Sequence, residues 1–227
     1  MSYQRKDSVQ TFDNSEEKDN AMTSMFRSLS LIALLLGSAT VFGAVKESEM
    51  GPFLDRLMSR MTLEEKAGQL AQYSADMAQT GASLRDSYKE DILKGRVGSI
   101  FNAYTPAFTR ELQTLAMEKT RLKIPLLFGY DVIHGHRTIF PIPLGESASW
   151  DLGLIEESAR IAAREASADG VHWTFAPMVD VSREPRWGRV SEGAGEDPWL
   201  GAKIATARVR GFQGKDLSAT DTVLACV

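Results

Sequence analysis

The chain has 227 residues, 43% of them hydrophobic and 25% charged, with 26 lysines and arginines against 30 acids and a net charge of -4. This is the composition of a soluble globular domain with a real core, and with no basic excess and no blocks of like charge it argues against nucleic acid as a partner. A single cysteine, Cys226, excludes a disulfide framework and a cysteine-type zinc site.

Residues 1–21 are polar, carry Asp7, Asp13, Glu16, Glu17 and Asp19, and show no apolar period. They read as disordered or as a mis-assigned start. Residues 22–44 have a different pattern: Arg27, an apolar run from Leu29 to Leu36, then Gly37, Ser38, Ala39 and Gly43-Ala44. A positive residue, a short apolar core and a small-residue end describe a signal peptide, too short to span a membrane, with initiation at Met22 or Met25 and cleavage after Ala39 or Ala44. The chain is thus expected to be periplasmic or secreted, with no stable membrane anchor once the signal is removed.

Residues 45–227 alternate between helix and strand signals. Phe53, Leu54, Leu57, Met58 and Met61 have helical spacing, and Thr62-Leu63-Glu64-Glu65 is a capping box that predicts a helix with Leu63, Ala67 and Leu70 on its apolar face. Gly95 to Phe101 predicts a strand. Thr105-Pro106 caps a helix with Phe108, Leu112 and Leu115 buried, and Ile124 to Tyr130 predicts a second strand. A helix follows Asp151 with Ile155, Ala159, Ala162 and Ala166 facing inward, and Gly170 ends it. Trp173 to Val181 is the third predicted strand, Asp197-Pro198 opens a helix carrying Leu200, Ile204 and Ala207, and Thr222 to Val227 is the fourth strand.

Strands that are too apolar for a wet face and alternate with helices imply a covered parallel sheet, so the fold class is α/β. A closed (β/α)8 TIM-type barrel needs eight strands over roughly 250 residues, and four strands make an incomplete, N-terminal half of one. Two polar segments break the rhythm. From Asp131 to Trp150 the chain has Gly135, Pro141, Pro143 and Gly145 and no clear helical pattern. From Asp180 to Asp197 it carries Arg183, Arg186, Arg189, five acids and Trp187. Both follow the C-terminal end of a predicted strand, the edge where parallel α/β folds build their sites. Guanidinium forks, carboxylate acceptors and an indole face suit a neutral ligand rich in hydroxyls, although a salt-bridged loop has the same composition.

Gly129-Tyr130-Asp131-Val132-Ile133-His134-Gly135-His136-Arg137, Phe140-Pro141, and Ala176-Pro177-Met178-Val179-Asp180 through Pro185-Arg186-Trp187-Gly188-Arg189 to Glu192 and Glu196-Asp197-Pro198 resemble the N-terminal domain of glycoside hydrolase family 3, in its periplasmic bacterial β-glucosidase branch. The similarity extends from about Phe53 to Val227, and the succession of motifs, rather than any one of them, makes it specific. The resemblance implies a retaining β-glucosidase acting on terminal non-reducing β-D-glucosyl residues of an oligosaccharide or other β-glucoside, with no metal or organic cofactor. It makes Asp131 and Arg189 binders of the sugar hydroxyls and places Arg137 in the outer pocket. Glu192 would orient the arginine or a neighbour, while Arg186 and Trp187 would hold the loop.

In the family, a sugar-binding Lys-His pair, the nucleophilic aspartate and the general acid glutamate all follow beyond the point where this chain stops. The resemblance therefore implies a fragment without catalytic residues, inactive when isolated, since retaining hydrolysis needs two carboxyl groups about 5 Å apart. Two rival readings are a metal hydrolase built on His134, His136 and Asp131, and a non-catalytic sugar-binding protein. The signal-peptide pattern predicts that protein recovered from the periplasm or medium begins near Thr40 or Val45 by N-terminal sequencing; cytoplasmic protein with Met1 or Met22 intact would refute it.

Overall fold

The computed structural model describes residues 47–78 and 81–227; the segments 1–21 and 22–44, with the signal-peptide expectation they carry, lie outside the described residues. Five strands form one parallel sheet: β1 (Gln72–Ser74), β4 (Ser99–Phe101), β5 (Leu127–Tyr130), β6 (Trp173–Thr174) and β7 (Leu224–Ala225), in that spatial order. Strands β2 (Asp76–Ala78) and β3 (Gly81–Ser83) form a separate antiparallel pair. The helices are α1 (Glu47–Arg60), α2 (Leu63–Gln69), α3 (Asp86–Leu93), α4 (Pro106–Lys119), α5 (Pro143–Ser147), α6 (Leu152–Ala168) and α7 (Pro198–Gln213). A parallel sheet with crossover helices is the α/β architecture that the alternation predicts.

The caps fix where helices start. Thr62 and Glu65 exchange bonds, Glu65 N to Thr62 Oγ1 at 3.1 Å and Thr62 N to Glu65 Oε2 at 2.9 Å. Asp151 accepts from Gly153 and Leu154 N, each at 3.0 Å, and Asp197 from Leu200 N at 2.7 Å. Thr105 stands at the cap of α4 without a side-chain bond; its carbonyl instead takes the Thr109 hydroxyl at 3.0 Å. Helices α6 and α7 then pack closely. Ala159, Ala162, Ala163 and Ala166 give α6 a smooth buried stripe, and a Cβ on Gly211 of α7 would stand 2.3 Å from the Glu156 carbonyl oxygen. Ile155 of α6 and Leu200, Ile204 and Ala207 of α7 form the core at one end of this pair, while Phe212 joins the alanines at the other.

Several expectations need correction. The sheet has five strands rather than four: β1 is short and largely exposed, so no apolar pattern marked it. The predicted strands shrink to two to four residues, because only the segment facing a neighbour pairs. Helix α3 buries only Ile92, too little for a visible stripe, and α5 lies inside the 131–150 segment expected to be irregular. Helix α2 shows the opposite face to the one expected. Leu63, Ala67 and Leu70 are exposed, while Glu65 and Gly68 are buried. Gly68 sets that orientation: a Cβ there would meet the Gly95 carbonyl at 2.4 Å, and Glu65 turns inward to the guanidinium of Arg121, with Arg121 Nε to Glu65 Oε1 at 3.1 Å.

Among the described residues β1 and β7 are unpaired on their outer edges, and Phe53, Leu54, Met58, Leu63 and Leu70 are exposed. Open edges and uncovered apolar side chains promote association. The isolated chain is expected to elute from size-exclusion chromatography as oligomer or aggregate; a sharp monomer peak with cooperative unfolding would show that these surfaces are closed by some other means.

Candidate functional site

The sheet register builds the site. Parallel pairing sets Gly129 opposite Trp173 and Tyr130 opposite Thr174, so the chain leaves β5 and β6 side by side on the same edge. Val132 N donates to the buried Thr174 Oγ1 at 2.9 Å, which ties the start of one exit loop to the end of the neighbouring strand. Asp131 is the first residue of that loop. The loop after β6 folds back: Ser182 N donates to the Gly195 carbonyl at 2.9 Å, Ser147 Oγ of α5 donates to the Ala194 carbonyl at 2.6 Å, and a 3-10 turn at Val190–Glu192 presents Arg189 and Glu192.

Arg189 and Glu192 form a fork, with Nε to Oε1 at 3.0 Å and Nη2 to Oε2 at 2.8 Å. The bond to Arg189 holds the Glu192 carboxyl below its ordinary value despite partial burial, and the same bond raises the arginine. Burial pushes the Asp131 carboxyl up, and repulsion from Glu192 adds to this while Arg189 opposes it. Asp180 also favours the charged form of Arg189. Asp131 and Asp180 each act electrostatically on Arg189, which is bonded to Glu192. Asp180 and Glu192 also line a cleft of about 220 Å³ together with Ile133, Pro143, Ile204 and Arg208.

The other expected residues lie apart from that group. Arg186 forks Glu184, with Nε to Oε1 at 2.7 Å and Nη2 to Oε2 at 2.8 Å, and these bonds hold the exposed Glu184 carboxyl down at about 2. Half-buried Trp187 donates its backbone N–H to the Glu184 carbonyl at 3.0 Å, so both residues stay within that turn. Arg137 turns to helix α6: its Nη2 donates to Asp169 Oδ1 at 2.6 Å and its backbone N–H to Glu165 Oε2 at 2.8 Å. His136 Nε2 lies 2.7 Å from Asp169 Oδ2, and His134 Nδ1 lies 2.9 Å from the Phe140 carbonyl. Both histidines thus serve the loop, and among the described residues no three His, Cys, Asp or Glu side chains converge to hold a metal. Burial pushes the Asp169 carboxyl up, but its bonds to Arg137 and His136 outweigh this and leave it low.

Four residues that the sequence reading passed over hold this arrangement. Glu165 and Asp169, one turn apart at the end of α6, grip residues 136–138: besides Arg137, Glu165 accepts from Thr138 N at 2.8 Å and Thr138 Oγ1 at 2.6 Å. Arg208 and Glu146 form a buried pair at 2.7 Å, with side chains 3% and 7% exposed. Ser158 Oγ donates to Glu146 Oε1 at 2.8 Å, and Arg208 Nη2 reaches the Ile133 carbonyl. The pair thus joins α5, α6, α7 and the Asp131 loop. Its signal in the sequence was a charge at 208, where Ile204 and Phe212 place an apolar stripe.

Residues 62–224 match the sequence profile of the glycosyl hydrolase family 3 N terminal domain. A periplasmic β-glucosidase of Salmonella typhimurium is 43% identical over 175 residues, covering 77% of this chain and 22% of that protein. A periplasmic β-glucosidase/β-xylosidase of Dickeya chrysanthemi is 33% identical over 196 residues, covering 75% of this chain and 30% of that protein. Among solved structures, the β-glucosidase of Listeria innocua in complex with glucose superposes with a TM-score of 0.69 at 36% identity, over 78% of this chain and 26% of that one. The chain spans roughly a quarter of the length of these relatives.

Removing one partner of a buried ion pair strands the other charge and costs about 3 to 5 kcal/mol, whereas replacing both with apolar groups is often neutral or better. Arg208→Met alone is expected to lower the thermal midpoint by several degrees, and Glu146→Leu with Arg208→Met to recover most of the loss. A double variant no more stable than the single one would show that the pair's bonds, rather than the stranded charge, carry the effect.

Proposed function

Since the chain belongs to glycosyl hydrolase family 3, we propose that it supplies part of the sugar-binding subsite of a retaining β-glucosidase acting on terminal non-reducing β-D-glucosyl residues. The observation that carries this reading is the grouping of Asp131 with Arg189 and Glu192 at the C-terminal edge of β5 and β6. A carboxylate accepts from two adjacent hydroxyls, and a guanidinium donates to hydroxyl oxygens without needing charge on the ligand. Glu192 occupies one edge of the Arg189 guanidinium and so fixes the direction of its remaining donors. Arg137, largely exposed above Asp169, borders the outer pocket, and Arg186 with Trp187 shapes the loop. The substrate class is supported by the relatives: the Listeria innocua enzyme is described in complex with glucose and with laminaribiose.

No residue of this chain is assigned as nucleophile or general acid, and the isolated chain is expected to hold sugar without hydrolysing it. Binding ground state and transition state equally does not accelerate the chemical step. The chemistry proposed calls for no metal or organic cofactor, and no nucleic acid takes part. Periplasmic or secreted location accords with the periplasmic relatives and with the apolar run at Leu29 to Leu36; among the described residues no helix is long and apolar enough to cross a membrane.

The test compares kcat/KM on an aryl β-glucoside for the whole protein, its Asp131→Ala variant and the 227-residue chain. A charge-assisted hydrogen bond contributes about 1.5 to 3 kcal/mol, so losing one at Asp131 is expected to lower kcat/KM roughly tenfold or more. The short chain is expected to stay at background. Equal values for wild type and Asp131→Ala would remove Asp131 from the site, and turnover by the short chain would place the catalytic groups within it.

A further inference from the structure

We infer that His172 is a positioning residue for the sugar-binding edge: its imidazole holds β5 to the start of β6 as a lone-pair acceptor, and protonating the ring releases that edge. This rests on the sugar-binding reading above and adds to it an acid limit set by a residue outside the site.

Two bonds join His172 to β5. Its backbone N–H donates to the Phe128 carbonyl at 2.8 Å, and the Phe128 N–H donates back to His172 Nδ1 at 3.0 Å. The two rings are stacked, with centroids 5.4 Å apart and planes 17° from parallel. The His172 carbonyl accepts from Leu224 N at 2.8 Å, so the same residue also anchors β7. These bonds lie directly before the paired residues Gly129 and Trp173, and the strand they hold runs straight into Asp131.

The bond to Phe128 fixes the state of the ring. A backbone N–H can only donate, so Nδ1 offers its lone pair and the proton of the neutral imidazole sits on Nε2. A second proton can go only to Nδ1, and two donors then face each other across the seam. Phe128 is 1% exposed, so its N–H has no ready water to replace the lost acceptor, and a buried donor left without a partner is costly. Burial alone pulls the His172 pKa below its ordinary value. The charged groups of the neighbouring elements are engaged elsewhere. Asp169 at the end of α6 holds His136 and Arg137, Asp221 before β7 holds Arg160 and Arg164, and Arg208 of α7 holds Glu146. The strands themselves bring the Tyr130 phenol and, just past β7, the Cys226 thiol, while the buried residues of α4, Thr109, Leu112 and Ala116, do not titrate. A folded-state pKa below the unfolded one makes the contribution of His172 complete above about pH 6.5 and lost as pH falls through the folded value.

The experiment uses the whole protein and measures both kcat/KM on an aryl β-glucoside and the thermal midpoint, from about pH 7.5 down to about pH 4.5, a range that spans the imidazole titration. His172→Asn offers an amide oxygen in place of Nδ1 and does not titrate there; His172→Leu has no acceptor at any pH. Catalytic groups titrate alike in all three proteins, so ratios to wild type isolate the ring. The kcat/KM ratio of His172→Asn to wild type is expected to be near one at neutral pH and to rise about two- to tenfold in acid, the worth of one backbone hydrogen bond. His172→Leu is expected to start below wild type by a similar factor and to converge with it as the pH falls. The wild-type thermal midpoint is expected to drop more steeply in acid than that of His172→Asn. Ratios and midpoint differences that stay constant across the range overturn the inference. Midpoints that diverge while the kcat/KM ratios stay flat overturn it too, because His172 then stabilises the seam without positioning the edge. A whole protein that fails to hydrolyse the glucoside at any pH fails in a different way and overturns the β-glucosidase reading, taking the inference with it.

Discussion

The arrangement depends first on the parallel pairing of β5 with β6. The two strands together contribute six residues, yet their register brings two loops, separated by some fifty positions in sequence, to one edge of the sheet. The Val132 N–H to Thr174 Oγ1 bond then fixes the step immediately after Asp131. Thr174 is fully buried, so this bond is made away from competing water. A shift of one residue between β5 and β6 would send Asp131 to the other face of the sheet, since side chains alternate along a strand.

Above that edge the electrostatics divide the loop arginines by environment rather than by sequence. Arg137, Arg186 and Arg189 all lie in polar segments, and each finds a carboxylate. Arg186 is paired within its own turn, two residues from Glu184, and stays in solvent. Exposed pairs of that kind are screened and contribute little. Arg137 reaches back to Asp169, whose carboxyl is enclosed, so the pair anchors a loop to a helix. Only Arg189 has its pair inside the field of Asp131 and Asp180. The same residue type therefore serves as surface, clamp and candidate ligand donor, according to what the fold places opposite it.

This is also why some of the site was legible in the sequence and some was not. Caps and helical stripes are local: Thr62 with Glu65, Asp151, Asp197, and the alanine face of α6 each follow from neighbouring residues, and the structure shows them. The C-terminal strand edge was legible too, because alternating helix and strand signals imply parallel connections. Contacts over long sequence separations were not. Nothing near Arg208 signals that Glu146 and the Ile133 carbonyl lie against it, and nothing near Asp169 points to Arg137 and His136. The face of α2 was misjudged for a related reason. Gly68 carries no side chain, and its close approach to Gly95 depends on the tertiary position of the next loop.

The buried pair and the exposed fork finally play different physical parts beneath one site. Arg208 and Glu146 sit where water is excluded; burial pulls the arginine's pKa down, and the Glu146 charge opposes that fall. Such a pair has little reason to be there for stability alone, because apolar residues of similar volume would fill the space at least as well. What it adds is direction: Arg208 reaches the Ile133 carbonyl, two residues beyond Asp131, and Glu146 takes the Ser158 hydroxyl on the opposite side. The Arg189–Glu192 fork, in contrast, is partly open to solvent, with side chains 57% and 28% exposed. Rigidity is thus placed under the loop and exchangeable hydrogen bonding at its surface, a division that suits the proposed sugar-binding role.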